Sequence, residues 1–427
     1  MSGSSMQSFA GTTLDPSRGP SVSEMTWLTS YQDVDEALKA HEIVQGGGGL
    51  RDSEPFVGHG LLSLSGDEHF ERRRIEAVLF RRAALERYQD AVLAPALHAS
   101  LATCERGADG LARGDLQRLL RLALCRVSAA LVGIDGVETP AVIDEYLSYM
   151  DRLSMGTNIE WASGDHREII RVGRKLRAEF DAKYIQPSLR RREALVAEYR
   201  AGGRSAEQLP TDLLTVIVLH KNHFTQHSSE AMVSEVVLFN GATTGTITQA
   251  VPHVIAELSE WLAAHPEDRP RVEDRQFLRR AVIEGIRLHP ASPYLIRQAT
   301  AGKQLRSGRR LVAGEYVVLD LVKSSRDAAV FAPDPDRFDP HRVPKVRIRP
   351  MGLTFGDGPH TCIGMSMTIG DGGAADEDAP LGFAVYLVRE FYRAGIYVDP
   401  ADPPRWNDAN VRNEYAAFPV RFDNLAR

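Results

Sequence analysis

Helical patterning dominates the chain. Apolar residues recur at a spacing of three or four over several long stretches, as expected for helices with one buried face. The longest apolar run contains Pro252, which is expected to bend a helix at that point. The four stretches are residues 66–85, 109–132, 167–200 and 228–264, and a break is expected near Pro187 in the third.

Strand patterns are fewer and shorter. Residues 310–321 read as strand, turn and strand with Gly314 at the turn, and residues 415–422 form a second candidate. No internal repeat is visible. The patterning therefore predicts a mainly α-helical protein with small β-sheets, an α+β fold.

The composition is that of an ordinary globular protein. Of its 427 residues, 43% are hydrophobic and 25% are charged, which is enough apolar material for a large core. The formal net charge of −6 gives no reason to expect nucleic-acid binding. The three cysteines contain no CxxC pair and are too few for a disulfide framework, so a reducing, cytoplasmic setting fits.

The first residues differ from the rest. Residues 1–24 are rich in Ser, Gly, Thr and Pro and are expected to form a flexible leader. They contain no apolar stretch long enough for a signal peptide or a membrane anchor. Chain length, taken alone, would predict two or three domains.

A glycine-rich loop around the third cysteine, FGDGPHTCIG, carries the most chemistry. Its glycines remove side chains where the backbone must pass close to something flat, and its histidine supplies a polar donor. A thiolate needs nearby N–H donors to serve as a stable metal ligand, and a loop that runs into a helix start supplies them. A lone cysteine in such a turn would ordinarily be a structural thiol. Here six spaced positions share one pattern: Phe355, Gly356, Gly358, His360, Cys362 and Gly364.

These six positions resemble the haem-binding loop of the cytochrome P450 superfamily, F-G-x-G-x-H-x-C-x-G. The resemblance implies that Cys362 is the thiolate ligand of the iron of haem b and that His360 hydrogen-bonds a haem propionate. A thiolate ligand favours cleavage of the O–O bond. The resemblance also replaces the multidomain expectation with one large domain over residues 25–427.

Two further marks support the resemblance. Glu284 and Arg287 lie three positions apart on one helix face, which alone would be read as a solvated surface pair. The family has an E-x-x-R here that forms a buried triad with a downstream arginine, and the resemblance assigns Arg337 to that place.

The second mark is a set of basic residues. His69 and Arg73 lie four positions apart and alone would be a solvated helix face. In the family, H-x-x-x-R in an early helix binds the haem propionates. The resemblance therefore makes His69 and Arg73 cofactor ligands, together with Arg297.

The central helix departs from the family pattern A/G-G-x-D/E-T. Aligning on Gly241 places Thr243 at the acid and Thr244 at the threonine, so the alcohol is kept and the carboxylate is lost. These two threonines are the catalytic candidates, because the usual pair delivers protons to dioxygen. Two readings stay open: Thr244 and ordered water suffice, or the chemistry is altered. Thr246 and Thr248 are expected only to bond to helix carbonyls.

A second departure follows the cysteine. An acidic, glycine-rich insert covers about residues 368–382, and the helix is expected to resume near Phe383. The insert would lie near the surface where the family docks its electron donor. It would either repel an acidic donor or be a tolerated loop.

The resemblance implies a monooxygenase that inserts an oxygen atom from O2 into a small organic substrate, with a role in secondary metabolism. Electrons would come from a separate ferredoxin and ferredoxin reductase, and we expect a monomer with no nucleic-acid or membrane partner. A peroxide-dependent or otherwise atypical haem-thiolate enzyme is the alternative, and retention of Cys362 argues against a non-catalytic binding protein. Residues 149–161 form either a mobile lid or part of the core. The substrate-pocket candidates are Asn240, Gly241, Ser292, Tyr294, Leu295 and Phe418.

Overall fold

The computed structural model describes residues 20–47, 50–221, 228–371 and 379–425. Most of the predicted leader and the centre of the acidic insert, residues 372–378, lie outside this part of the chain. The α-helices are α1 Tyr31–Lys39, α2 Glu54–Val57, α3 Gly66–Glu76, α4 Arg82–Arg87, α5 Ala94–Leu101, α6 Leu116–Val132, α7 Pro140–Thr157, α8 His166–Phe180, α9 Gln186–Arg200, α10 Leu213–Leu219, α11 Ser228–Ala264, α12 Arg275–Leu288, α13 Leu321–Ser324, α14 Ala328–Phe331, α15 Met365–Ile369 and α16 Phe383–Arg393.

The strands are short and form small sheets. One sheet has the order β1-β8-β5-β2, a second has the order β3-β4-β12-β9, and β6-β7 and β10-β11 are two-stranded ribbons. The strands are β1 Thr26–Leu28, β2 Ile43–Gln45, β3 Glu105–Arg106, β4 Ala112–Asp115, β5 Tyr294–Ala299, β6 Lys303–Gln304, β7 Arg310–Leu311, β8 Tyr316–Asp320, β9 Ile396–Val398, β10 Arg405–Trp406, β11 Tyr415–Ala417 and β12 Pro419–Phe422.

The predicted mainly helical architecture is confirmed, with differences at element ends. The stretch 228–264 is one helix, α11, and it continues through Pro252. The stretch 167–200 does not break at Pro187, because a π-helical turn over Asp181–Ile185 joins α8 to α9. The stretch 109–132 is helical only from Leu116, since Ala112–Asp115 pairs with β12 as a strand. The helix after the cysteine resumes at Phe383, as predicted.

Helix α11 runs through the centre of the molecule and packs against α6, α12, α7 and α16. The approach of α12 is close because Gly285 has no side chain: a Cβ there would lie 2.7 Å from Cγ2 of Val254. Aspartates begin two of these helices by accepting backbone N–H groups. Asp115 accepts from Arg118 at the start of α6, and Asp274 accepts from Gln276 at the start of α12. Among the described helices, none is both long enough and apolar enough to cross a membrane.

The acidic insert begins and ends at two glycines that lie close together. Helix α15 ends at Ile369 and α16 begins at Phe383, with Gly370 and Gly382 at the two ends of the excursion. A Cβ on Gly382 would lie 2.1 Å from the backbone nitrogen of Gly370, so only glycine allows these two backbone segments to approach each other. Arg279 of α12 also donates to the carbonyl of Ile369 at 2.7 Å. The insert therefore has a narrow, fixed base.

Candidate active site

A cavity of about 350 Å³ lies between the cysteine loop, α3, α11 and β5. Five of the six motif positions of the loop line it. The sixth, Gly358, instead packs against α1: its φ is +67°, and a Cβ there would lie 2.5 Å from the carbonyl oxygen of Leu38. The motif positions that line the cavity are Phe355, Gly356, His360, Cys362 and Gly364.

Backbone hydrogen bonds hold the cysteine loop in a tight turn. The N–H of Cys362 donates to the carbonyl of Phe355 at 2.7 Å, and the N–H of Thr361 donates to Gly358 at 3.1 Å. Gly356 has a φ of +66°, a left-handed conformation that a residue with a side chain adopts only with strain. The glycines of the motif therefore fix where the cysteine points.

The thiol of Cys362 is exposed to the cavity although it lies deep within the protein. Burial raises the pKa of this thiol, whereas the backbone N–H of Gly364 and the charge of Arg73 lower it. A bound metal cation favours the thiolate in the same direction as those two groups. The thiol is therefore expected to keep its proton until a metal cation displaces it and binds the thiolate.

A cluster of basic side chains lines the cavity beside the cysteine. The rings of His69 and His360 lie 4.0 Å apart, and Arg73 donates to the carbonyl of Thr361 at 2.5 Å. Burial and the neighbouring charges of His69, Arg297 and Arg73 lower the pKa of His360 to about 3. Gln45 lies 3.1 Å from Nδ1 of His360 and fixes its ring.

Arg297 completes this basic cluster from strand β5. Its side chain is buried, and burial lowers the pKa of its guanidinium to about 10, an effect that Glu160 opposes. Its one described hydrogen bond is from Nη1 to the carbonyl of Ile296 at 3.0 Å. Four basic residues that repel one another fit an anionic ligand, and the two propionates of a haem supply that charge. The residues present therefore fit a haem bound between Cys362 and this cluster.

The structure corrects the register of the central helix. Ala242 and Thr246 line the cavity one turn apart, whereas Thr244 is buried on another face of α11. The hydroxyl of Thr246 donates to the carbonyl of Ala242 at 2.7 Å, as predicted for this threonine. Thr246 therefore occupies the threonine position of the family pattern, and Gly245 occupies the position of the acidic residue. Thr243 does line the cavity.

The physical reason is the helical period. Positions four apart share a face, so a shift of two positions moves a side chain to the opposite side of the helix. The hydroxyl of Thr248 has no described hydrogen-bond partner, contrary to the prediction that it bonds to a helix carbonyl. The conclusion that the alcohol is kept and the acid is lost holds in either register.

Three of the six pocket candidates line the cavity: Gly241, Ser292 and Leu295. Tyr294 does not line the cavity, although the next three residues of β5 do. Its ring packs against Trp27 at 5.4 Å between ring centres, and its hydroxyl donates to the carbonyl of Glu160 at 2.6 Å. The assignment of Tyr294 to the pocket is therefore wrong.

Asn240 and Phe418 were also misassigned to the pocket. Asn240 is fully buried on the far side of α11, where its amide donates to the hydroxyl of Tyr146. Phe418 is fully buried in the core and packs edge-on against Tyr415 at 4.8 Å. The chain near it enters the cavity six positions earlier, at Arg412.

The sequence reasoning missed the polar residues at the other end of the cavity. Asn158, Glu160 and Trp161 line it from the end of α7 and the turn that follows, and Arg412 lines it from the stretch before β11. Tyr149, by contrast, packs against Phe180 in the core. Part of the 149–161 segment is therefore core and part is pocket wall. No local motif marks these positions, although Arg412 is an arginine next to a candidate strand.

The buried triad has a different third member from the one expected. Glu284 accepts from Arg287 at 2.7 Å and from Nε of Arg342 at 2.8 Å. The side chain of Arg337 is exposed, and its backbone carbonyl accepts from Arg342. The assignment of Arg337 is wrong because Arg342, five positions later in the same irregular segment, is the arginine that reaches Glu284.

Comparisons with known proteins identify the family of the chain. The cytochrome P450 family model matches residues 19–369. The chain belongs to the cytochrome P450 family. It is 25% identical over 357 residues, 78% of this chain and 73% of the relative, to cyclooctat-9-en-7-ol 5-monooxygenase of Streptomyces melanosporofaciens. It is 28% identical over 347 residues, 79% of this chain and 71% of the relative, to the cytochrome P-450 monooxygenase DoxA of Streptomyces sp. (strain C5).

The same fold occurs in solved structures of the family. A crystal structure of CYP109E1 from Bacillus megaterium in complex with testosterone superposes with a TM-score of 0.68 at 18% identity, covering 97% of this chain and 96% of that one. The protein is thus an oxidoreductase of the haem-thiolate monooxygenase type, and its cofactor is haem b. The family match ends at Ile369, immediately before the acidic insert.

Proposed function

We propose that this cytochrome P450 inserts one oxygen atom of O2 into a small organic substrate, with Cys362 as the thiolate ligand of its haem iron. The observation that carries the proposal is the position of the Cys362 thiol, which faces the cavity beside four basic residues, two of them buried. The haem supplies the activation of dioxygen when it is bound. The residues of this chain hold the cofactor, shape the pocket and handle protons.

Each group of residues has its own part in this proposal. His69, Arg73, Arg297 and His360 would hold the propionates of the haem. Thr246 holds its proton against the carbonyl of Ala242 and faces the space next to the iron, where it steers protons to the reacting oxygen. Electrons come from a ferredoxin and its reductase, and the monooxygenase names of the Streptomyces relatives support a role in secondary metabolism.

The absence of an acid on the cavity face of α11 favours a second candidate, a peroxide-dependent or otherwise rewired enzyme. From Gly241 to Ala250 the helix has no carboxylate, and Gly245 stands at the acid position. Peroxide already carries the electrons and protons that the other route must deliver, so such an enzyme needs no acid there. The two candidates share the cofactor and the pocket and differ in their oxidant.

Isotope labelling of the oxidant tests the proposal and separates the candidates. The haem-loaded protein is supplied with a bacterial ferredoxin, its reductase and NADPH under 18O2, together with a compound that shifts its Soret band toward high spin. We expect a product that carries one 18O atom. A product formed only when unlabelled hydrogen peroxide replaces the redox chain would establish the second candidate instead.

Replacing Arg297 by Gln is expected to weaken haem retention without unfolding the protein. The variant loses a charge-assisted hydrogen bond to a propionate, which costs about 1.5–3 kcal/mol, or roughly tenfold to a hundredfold in haem dissociation. Transfer of haem to excess apomyoglobin measures the rate. Arg309→Gln, at an exposed position, is the matched control. Equal rates for the two variants would mean that Arg297 does not hold the cofactor.

A further inference from the structure

Arg412 is a buried cation that the proposed chemistry does not use. Its side chain lines the cavity between β10 and β11 and is only 7% exposed. A guanidinium taken out of water is costly unless a partner of opposite charge meets it. The surroundings of Arg412 therefore indicate what the cavity is built to receive.

Three contacts fix the position of Arg412. Its Nε donates to the carbonyl of Ala291 at 2.9 Å, and its guanidinium lies 5.5 Å from the centre of the Trp161 ring. Its backbone carbonyl accepts from the side chain of Gln249 on α11 at 3.3 Å. The arginine is thus held against the helix that carries Thr246, and only Nε is used up.

The terminal nitrogens of Arg412 have few partners within the protein. The nearest acid is Glu414, whose Oε2 lies 3.6 Å from Nη1, beyond hydrogen-bond distance. The other oxygen of Glu414 accepts from Asn407 at 2.7 Å and from Asn410 at 2.6 Å. Over the described part of the chain, Nη2 has no hydrogen-bond partner. Nη2 is therefore available as a donor, and Nη1 is engaged only by the longer ion pair with Glu414, so the planar fork can still receive a carboxylate.

The rest of this end of the cavity combines apolar walls with the uncharged polar residues Asn158 and Ser292. Ile247 and Ala250 of α11 and Leu295 of β5 form its walls. Glu160 also lines the cavity, but its carboxylate lies against Gly47 and its charge acts on Arg297. One cation at the end of an apolar space selects a ligand with an apolar body and one anionic group.

We propose that the substrate of this enzyme is a hydrophobic carboxylic acid whose carboxylate binds Arg412. The inference rests on the proposed function, because the ligand is the compound held for oxidation near the iron. Arg412 then acts as a specificity-determining residue: it fixes one end of the substrate and so decides which carbon lies next to Thr246.

Probes anchored on the iron test this without knowledge of the natural substrate. A series of ω-(imidazol-1-yl)alkanoic acids is compared with 1-alkylimidazoles of the same chain length at pH 7.5. The imidazole binds the haem iron and shifts the Soret band, so both members of each pair report their affinity in the same way. We expect the acid to bind about tenfold to a hundredfold tighter than its neutral partner at the chain length that reaches Arg412, and not at shorter lengths.

Variants locate the effect. Arg412→Gln should abolish the preference for the acid, and Arg412→Lys should keep part of it because the charge remains. Arg405→Gln, which removes an exposed arginine paired with Asp402 in the same C-terminal segment, should leave it unchanged. The chain-length dependence in the wild-type protein decides the question even if the Arg412 variants do not fold.

Four results would overturn the inference. The first is that the acids bind no tighter than the neutral probes at any chain length, and the second is that the preference for the acid survives in Arg412→Gln. Arg412→Gln loses haem as fast as Arg297→Gln, which would make Arg412 a cofactor ligand. Finally, no alkylimidazole shifts the Soret band at all, in which case the proposed function fails first and the inference fails with it.

Discussion

Replacing Glu284 by Gln is expected to destabilise the protein by about 3–5 kcal/mol, because it leaves two buried arginines without their charge partner. Arg287 is fully buried and Arg342 nearly so, and the carboxylate of Glu284 accepts from both. Its Oε1, which accepts from both arginines, also accepts from the backbone N–H of Asp339 at 3.2 Å. Chemical denaturation followed by circular dichroism measures the loss.

Two arginine variants show which residue belongs to this triad. Arg342→Ala removes donors to Glu284 and to four backbone carbonyls, so its effect should be comparable to that of the Glu284 variant. Arg337→Ala removes an exposed side chain and should change the free energy of unfolding by no more than about 0.5 kcal/mol. The reverse order would restore the assignment made from the sequence.

Thr246→Ala is expected to reduce product formation by at least about tenfold while haem content and substrate affinity stay close to wild type. Positioned proton transfer contributes about 10²–10⁴-fold to a rate, and Thr246 is the hydroxyl of α11 that faces the cavity with a fixed hydrogen bond. Dioxygen should still be consumed, but its electrons should appear in peroxide or water. The measurement is the ratio of product to NADPH oxidised.

Two further threonine variants serve as controls for this prediction. Thr246→Ser keeps the hydroxyl and should recover most of the coupling. Thr244→Ala alters the buried face of the helix and should couple nearly as well as wild type. If Thr244→Ala uncouples the reaction and Thr246→Ala does not, the register taken from the structure is wrong for catalysis.

The cysteine loop could be predicted from the sequence because all six motif positions lie within ten consecutive residues. The glycines, His360 and Cys362 keep their spacing whatever the rest of the chain does, and the structure places five of the motif positions on one cavity. His69, Arg73 and Arg297 come from distant elements, and only the family resemblance connected them. The structure brings all three to that same cavity.

The errors have a common physical origin in ambiguous local context. The run Thr243, Thr244, Gly245, Thr246 allows two registers, and only packing decides which face of α11 meets the cavity. Arg337 and Arg342 lie in one irregular segment, where no period tells which side chain turns inward. Arg412 reaches the cavity because the chain between β10 and β11 passes beside it, and no local sequence pattern predicts that path.

The acidic insert shows a different limit. Its glycines and proline predict where the helix is interrupted, and α16 begins at Phe383 as expected. The close contact of Gly370 and Gly382 explains how the chain leaves and returns without disturbing the helices on either side. Whether its charges affect docking of an electron donor depends on residues 372–378, which lie outside the described structure.

The absorption spectrum of the reduced protein under carbon monoxide shows whether Cys362 binds the haem iron as a thiolate. We expect the wild-type protein to show the strongly red-shifted Soret band of a thiolate-ligated haem. In Cys362→His this band should be replaced by that of an imidazole-ligated haem, while Cys104→Ala and Cys125→Ala keep the wild-type spectrum. A wild-type protein without the red-shifted band, or a Cys362→His variant that retains it, would mean that Cys362 is not the thiolate ligand of the iron.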